Sequence, residues 1–468
     1  MLKAIERRQK MLTDLSDRIW SYAEPAFRER QSAEAIAECL RREGFEVKLG
    51  VADIPSALVA EYGTSGPVVG FLGEYDALPG LSQKVNTVKD PAVPGGPGHG
   101  CGHNLLGVGA LGAALAVRDA IESGEVKGRV RYYGCPAEEL VAGKVFMVRA
   151  GCFDGLDCAF TWHPLTLNGV WGTGLTAMNS AKFHFHGRTA HAAADPFNGR
   201  SALDAVEIMN VAVNFLREHV ISDVRIHYVI TDGGGEPNVI PAEATVWYYV
   251  RAPRRFQVEE TFDRVFKCAE GAALATGTTL ELEFLNGCYN VLSNPVLEKV
   301  LTEKFAQVGP PIFSEEDRTF ARELLKTVPE RYEKEKRDVK EKYGIDIDGK
   351  LICDFILPEV VDKGKPSPGS TDVGDVSYVV PTSQIITAAG PFGTTTHSWQ
   401  YTASVGMHIG HESMLIAAQV LGLAGVEMLK NPELLRQAKE AFEEQRGDET
   451  YVSPLPQGSK PRLDLVRH

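Results

Sequence analysis

The chain has 468 residues, of which 44% are hydrophobic and 24% charged, the balance of a globular protein with core enough for two or more domains. Its formal net charge of −13 argues against a nucleic-acid partner and against an anionic membrane surface. An anionic substrate would therefore have to be drawn in by a local basic group.

The opening MLKAIERRQKMLTDLSDRIWSYAE is charged throughout and reads as one amphipathic helix with no apolar signal core. No run of about 18 apolar residues is expected further on. The eight cysteines, at 39, 101, 135, 152, 158, 268, 288 and 353, have no framework spacing. Reduced thiols, a cytoplasmic location and no membrane association are the expectation.

A second helix over 31–42 stops at Gly44, and strands are predicted over 57–62, 68–72, 129–133 and 158–162. Helical stretches intervene, notably 105–123, and the alternation predicts an α/β sheet covered by helices. Near Thr176 the texture changes. A strand over 179–186, a helix over 201–219, strands over 225–231 and 243–251, a helix over 256–276 and a strand over 279–284 follow. That β-α-β-β-α-β order is the order of a ferredoxin-like (α+β) module. The α/β texture resumes after about Asn294, so the module is read as an insertion at 178–293 into a domain made of 1–177 and 294–468. The charge-dense segment at about 313–350 is expected to form solvated helices, and a strand over 384–389 and a helix over 413–429 close the domain.

The loop PGHGCGHN at 97–104 places a thiol, Cys101, two residues from an imidazole, His103. Glycines at 98, 100 and 102 permit positive φ and close backbone packing. Sulfur and nitrogen donors together suit a borderline-soft divalent metal, although a tight turn alone also fits the pattern. Other chemistry-bearing loops follow strands, where open α/β sheets build their sites: GEYDALPG at 73–80, CPAEE at 135–139, TWHP at 161–164 and GTTTHSW at 393–399. Glu138 and Glu139 would face opposite ways on a continuing strand, but a turn after Pro136 could aim both into one cleft. One carboxylate would then be a ligand and its neighbour a base. Five N, O and S ligands could hold two metals about 3.5–4 Å apart if one ligand bridges them.

The motifs PGHGCGHNLLG at 97–107, CPAEE at 135–139, TWHP at 161–164 and GSTDVGDVSYVVPT at 369–382 resemble those of the co-catalytic metallopeptidase family of aminoacylases and glutamate carboxypeptidases. The resemblance runs nearly the whole length and is strongest to the amidohydrolase branch that takes p-aminobenzoyl-glutamate-like compounds. It implies a mixed-sheet catalytic domain with an inserted lid that also dimerises. It implies one or two divalent ions per chain, zinc or manganese. Cys101 would be the bridging thiolate, with His103 and His163 completing one metal and Glu139 and His397 the other. Glu138 would be the general base. Asp76 would orient a histidine ligand from behind, and Glu74 stands where relatives carry a histidine. His191 would stabilise the oxyanion across a dimer interface. Asn238 would hold the scissile carbonyl, Arg251 would pair with a substrate carboxylate, and Gly369 and Ser370 would approach substrate. Asp372 and Asp375 would fix the loop beneath the site. The implied activity is metal-dependent hydrolysis of the amide bond of an N-acyl or N-aroyl amino acid by a homodimer, with a paralogous protein as a conceivable second partner. Deamination of an aromatic amine on the same scaffold and a non-catalytic partner role are the alternatives.

Overall fold

The computed structural model describes residues 2–172, 174–358, 360–361 and 369–463. Among them run eleven strands: β1 (Glu46–Leu49), β2 (Leu58–Tyr62), β3 (Val68–Glu74), β4 (Arg129–Cys135), β5 (Cys158–Leu165), β6 (Gly169–Trp171), β7 (Ala177–His186), β8 (Arg225–Asp232), β9 (Glu243–Ala252), β10 (Thr279–Cys288) and β11 (Thr382–Ala388). Seven form one sheet in the order β1-β2-β4-β3-β5-β11-β6. Its centre, β4-β3-β5-β11, is parallel, and β1, β2 and β6 are antiparallel to their neighbours.

The sequence VVGFLGE of β3 is buried at every position, as a strand covered on both faces must be. Val69 and Phe71 pack on one side with helices His103–Glu122 and His408–Lys430. Val68 and Leu72 pack on the other side with Gly143–Arg149. The two long helices are apolar enough by length and composition to cross a membrane, although neither holds about 18 consecutive apolar residues. Their alanine- and glycine-rich faces are mostly buried inside the protein, which accounts for that composition.

The remaining strands make an antiparallel sheet, β10-β7-β9-β8, with helices Ala202–Leu216 and Arg255–Thr276 on one face. The chain order is β-α-β-β-α-β, and Phe183, Val246 and Tyr248 pack there against Val206, Met209 and Phe262. The molecule is thus a mixed-sheet α/β domain with an inserted α+β domain.

Three details differ from the sequence expectation. The opening helix is two, Leu2–Glu6 and Gln9–Tyr22, broken where Arg8 turns its guanidinium to Asp119 and Glu43. Strands β1 and β6 are too short, at four and three residues, to leave a pattern of alternation. The charged segment forms helices Glu315–Leu325 and Pro329–Tyr343, and these are more than solvated decoration. Phe313, Ala321, Val339 and Ile347 build a small core with Phe392 and Ile409 of the α/β domain.

Candidate metal centre and active site

The loops at the C-terminal ends of β3, β4 and β5 converge on one buried cluster. Of the three glycines at 98, 100 and 102 before helix His103–Glu122, only Gly102 takes a positive φ, +78°. Gly98 and Gly100 serve close approach instead. A Cβ at Gly98 would lie 2.1 Å from the Leu81 carbonyl oxygen, and one at Gly100 would lie 2.4 Å from Leu81 Cδ1. After β4 the chain makes a one-turn 3₁₀ helix, Glu138–Leu140, flanked by Ala137 at φ +57° and Val141 at φ +54°. Left-handed non-glycine residues are costly, and here they end the strand alternation. Both carboxylates consequently reach the same cluster, as a turn after Pro136 predicts.

His103 Nδ1 lies 2.8 Å from Asp76 Oδ1, and Asp76 Oδ2 accepts the Glu139 backbone N–H at 2.9 Å. That bond turns the other ring nitrogen, Nε2, toward the cluster, 3.4 Å from Glu74 Oε2 and 3.8 Å from Glu138 Oε2. Cys101 Sγ is 3.4 Å from His163 Nε2, and His163 Nδ1 is 2.9 Å from the Pro164 carbonyl oxygen. His397 Nε2 is 3.4 Å from Glu139 Oε2. Three donor groups result, each with its atoms within 4.8 Å of one another: Cys101–His103–His163, Cys101–Glu139–His397 and Glu74–His103–Glu138. Cys101 belongs to two of them.

This donor set fits divalent metal. His103 Nε2 and Glu139 Oε1 are buried and find no hydrogen-bond partner among the described residues. Orphaned buried polar atoms are rare and call for a ligand. Burial holds His163 down to about 4, so its lone pair is free. Burial pushes Glu139 up to about 7, raises the Cys101 thiol, and together with the nearby Glu74 charge raises Glu138 well above the carboxylate range. The protein alone therefore disfavours the anions gathered here, and a bound dication reverses that balance.

Sequence reasoning missed Lys144. Its fully buried Nζ sits 2.6 Å from both Glu74 Oε1 and Asp372 Oδ1, and its backbone N–H donates to Asp372 Oδ2 at 2.7 Å. Glu74, left without a role by the sequence, is thereby held beside His103. Asp372 does lie beneath the site, and Asp375 accepts from the Tyr289 N–H and the Tyr451 hydroxyl. Glu29 was also unforeseen: its Oε1 accepts the N–H of the left-handed Ala137 at 2.8 Å.

A cavity of about 320 Å³ opens over the cluster, walled by Trp171, Tyr249, Arg251, Gly369 and Ser370. Arg251 lies over the Tyr249 ring at 5.6 Å and donates to Ser370 Oγ at 3.4 Å. Arg251, Gly369 and Ser370 therefore line this cavity, and His191 and Asn238 do not. Both are exposed on the inserted domain, joined by the Asn238 carbonyl accepting the Ala192 N–H, and neither lines the cavity of its own protomer.

Strand-end loops that gather sulfur, nitrogen and carboxylate donors under an α+β lid are the plan of a metal-dependent amide hydrolase. Residues 173–276 match the M20 peptidase dimerisation domain. The chain is 40% identical over 469 residues to one of the proteins that make up the p-aminobenzoyl-glutamate hydrolase of Escherichia coli (strain K12), covering 98% of this chain and 97% of that protein. It is 29% identical over 470 residues to the Xaa-Arg dipeptidase of Homo sapiens, covering 97% and 93%. A solved dinuclear metal-binding peptidase of the M20 family from Bacillus subtilis superposes with a TM-score of 0.60 at 19% identity, over 91% of this chain and 99% of that one. The chain belongs to the M20 metallopeptidase family, in the group of the p-aminobenzoyl-glutamate hydrolases.

Proposed function

We propose that the protein hydrolyses the amide bond of an N-aroyl or N-acyl amino acid, with p-aminobenzoyl-glutamate as the leading substrate. The observation that carries this reading is the Glu138 carboxylate beside the Cys101, His103, Glu139, His163 and His397 donors, in a cavity that also presents Arg251. Cys101, His103 and His163 would hold one ion, and Cys101, Glu139 and His397 the other, as zinc or manganese. Divalent metal supplies Lewis acidity there, polarising the scissile carbonyl and making water more acidic.

Glu138 takes a proton from the attacking water as its oxygen bonds to the carbonyl carbon. The tetrahedral adduct collapses with cleavage of the C–N bond, and Glu138 returns that proton to the departing amine. Asp76 keeps His103 in the tautomer whose Nε2 faces the cluster. Lys144 holds Glu74 Oε1 at 2.6 Å and so fixes that carboxylate beside His103. Arg251 pairs with the substrate carboxylate, which suits a protein whose net charge would otherwise repel it.

His191 fits the role of oxyanion donor only as a contribution from a second protomer. The inserted domain has the surface for such a homodimer: Ile208, Val211 and Phe215 are exposed along one helix, and Val229 and Ile230 on the edge strand β8. The E. coli relative is named as part of a larger hydrolase, which makes a paralogous partner a second assembly to test. Eight free cysteines among the described residues support a cytoplasmic setting.

The test is release of p-aminobenzoate from p-aminobenzoyl-glutamate by metal-reconstituted protein, with a chelated control. Chelator-sensitive release is the expected result. Failure of the metal-loaded protein to release it, with ammonia evolved from aryl amines instead, would replace amide hydrolysis by aromatic deamination.

A further inference from the structure

The charged helical segment packs beneath the loop that carries His397, and that placement gives it work. From helix Pro329–Tyr343, Glu335 Oε2 accepts the Gly393 N–H at 2.5 Å. Its Oε1 accepts from Thr166 Oγ1 at 2.5 Å, just past the end of β5, the strand that bears His163. Arg331 donates to Thr395 Oγ1 at 3.0 Å. The backbone of Tyr332 closes on the loop so tightly that a Cβ at Gly393, where φ is +77°, would lie 2.8 Å from the Tyr332 nitrogen.

His397 needs such support. It sits at φ +62°, and its N–H donates to the Gly100 carbonyl at 2.7 Å. A left-handed histidine persists only where its surroundings over-determine it. His103 is wholly buried, but the His397 side chain is 54% exposed, so packing around its ring cannot fix it. The loop must do so.

We propose that Glu335 is a positioning residue: it clamps the 393–397 loop so that His397 is presented toward Cys101 and Glu139, and thereby sets the affinity of that metal position more than that of the other. The inference rests on the two-ion reading above. Ligand groups held by outer hydrogen bonds bind metal more tightly, typically by about 10–100-fold.

The experiment strips the full-length protein of metal and titrates it with zinc, resolving the affinity of each ion by competition with a chromophoric chelator. Glu335→Ala should weaken one ion by about 10–100-fold and the other by clearly less. Glu335→Gln should recover the lost affinity, because its amide can accept from Gly393 and donate to Thr166. Should the alanine variant not fold, Glu335→Asp, which retains the charge but is one methylene too short, should show the same selective weakening. Unchanged affinities, or equal weakening of both ions, would overturn the proposal. His397→Ala separates this from failure of the underlying reading: if the wild type takes up two ions and His397→Ala loses one, the two-ion reading stands whatever Glu335 does. If His397→Ala keeps both ions, that reading falls, and the role of Glu335 falls with it.

Discussion

Glu138 and Glu139 are neighbours in sequence, and the left-handed residues on either side turn both side chains into one site. Glu139 also donates its backbone N–H to Asp76, which locks its end of the turn. Replacing Glu138 by glutamine preserves shape and removes the proposed base. Turnover should fall about 10²–10⁴-fold while metal content, measured by atomic emission, stays that of the wild type. Loss of metal along with activity would assign Glu138 to the ligands instead. Lys144 poses the opposite problem, since its ammonium is the counter-charge of two buried carboxylates. Lys144→Met should destabilise the fold by about 3–5 kcal/mol in urea titration, because Glu74 and Asp372 are left buried and uncompensated. A smaller loss, under about 1 kcal/mol, would mean that water reaches these carboxylates. The Cys–His and Glu–Glu pairs were legible because unusual residue types stand close together in sequence. Lys144 was not: in GKVFMVR it looks like any helix-surface lysine, and its partners come from distant segments.

Elements were legible where period and length reinforced each other. Strands β7 and β9 and the two helices packed on them read correctly because apolar residues alternate, as at Phe183 and Phe185 or at Val246, Tyr248 and Val250, over ten-residue strands, whereas β10 runs to Cys288, past its expected end at 284. Helix Pro432–Arg446 passed unnoticed, and its buried face is only Ala438 and Phe442. Loop geometry was legible in part: glycines mark the Cys101 loop, but the sequence does not say which glycine needs its φ and which needs its bareness. Gly102→Ala tests that distinction. It combines a φ of +78° with a Cβ 2.7 Å from Pro164 Cγ, so the cost should exceed the roughly 1–2 kcal/mol of a left-handed alanine. The variant should also bind metal more weakly, since Cys101 and His103 flank the strained residue. Wild-type stability and metal affinity together would show that the loop can relax.

At the scale of the whole molecule, acid groups buried beneath and around the site couple stability to pH. Asp375 is the cleanest case, since it stands away from the donor cluster and accepts the Tyr289 N–H at 3.1 Å and the Tyr451 hydroxyl at 2.9 Å. Burial, only partly offset by those two hydrogen bonds, pushes it from 3.8 up to about 7 in the fold. A folded-state value above the unfolded one means that the native state holds the proton more tightly. Its stabilising contribution is therefore full below about pH 4 and is lost as pH rises through 7. Between pH 5 and 8 the loss should come to about 2–3 kcal/mol. Other groups titrate in the same window, so the slope of the wild type alone decides nothing. Asp375→Asn isolates the contribution, because the amide can accept from Tyr289 and donate to the Tyr451 oxygen without titrating. Urea unfolding of metal-loaded wild type and variant at pH 5 and pH 8 should show the variant losing less stability over that interval. Equal losses would mean that Asp375 is ionised throughout, held by its two donors against the cost of burial.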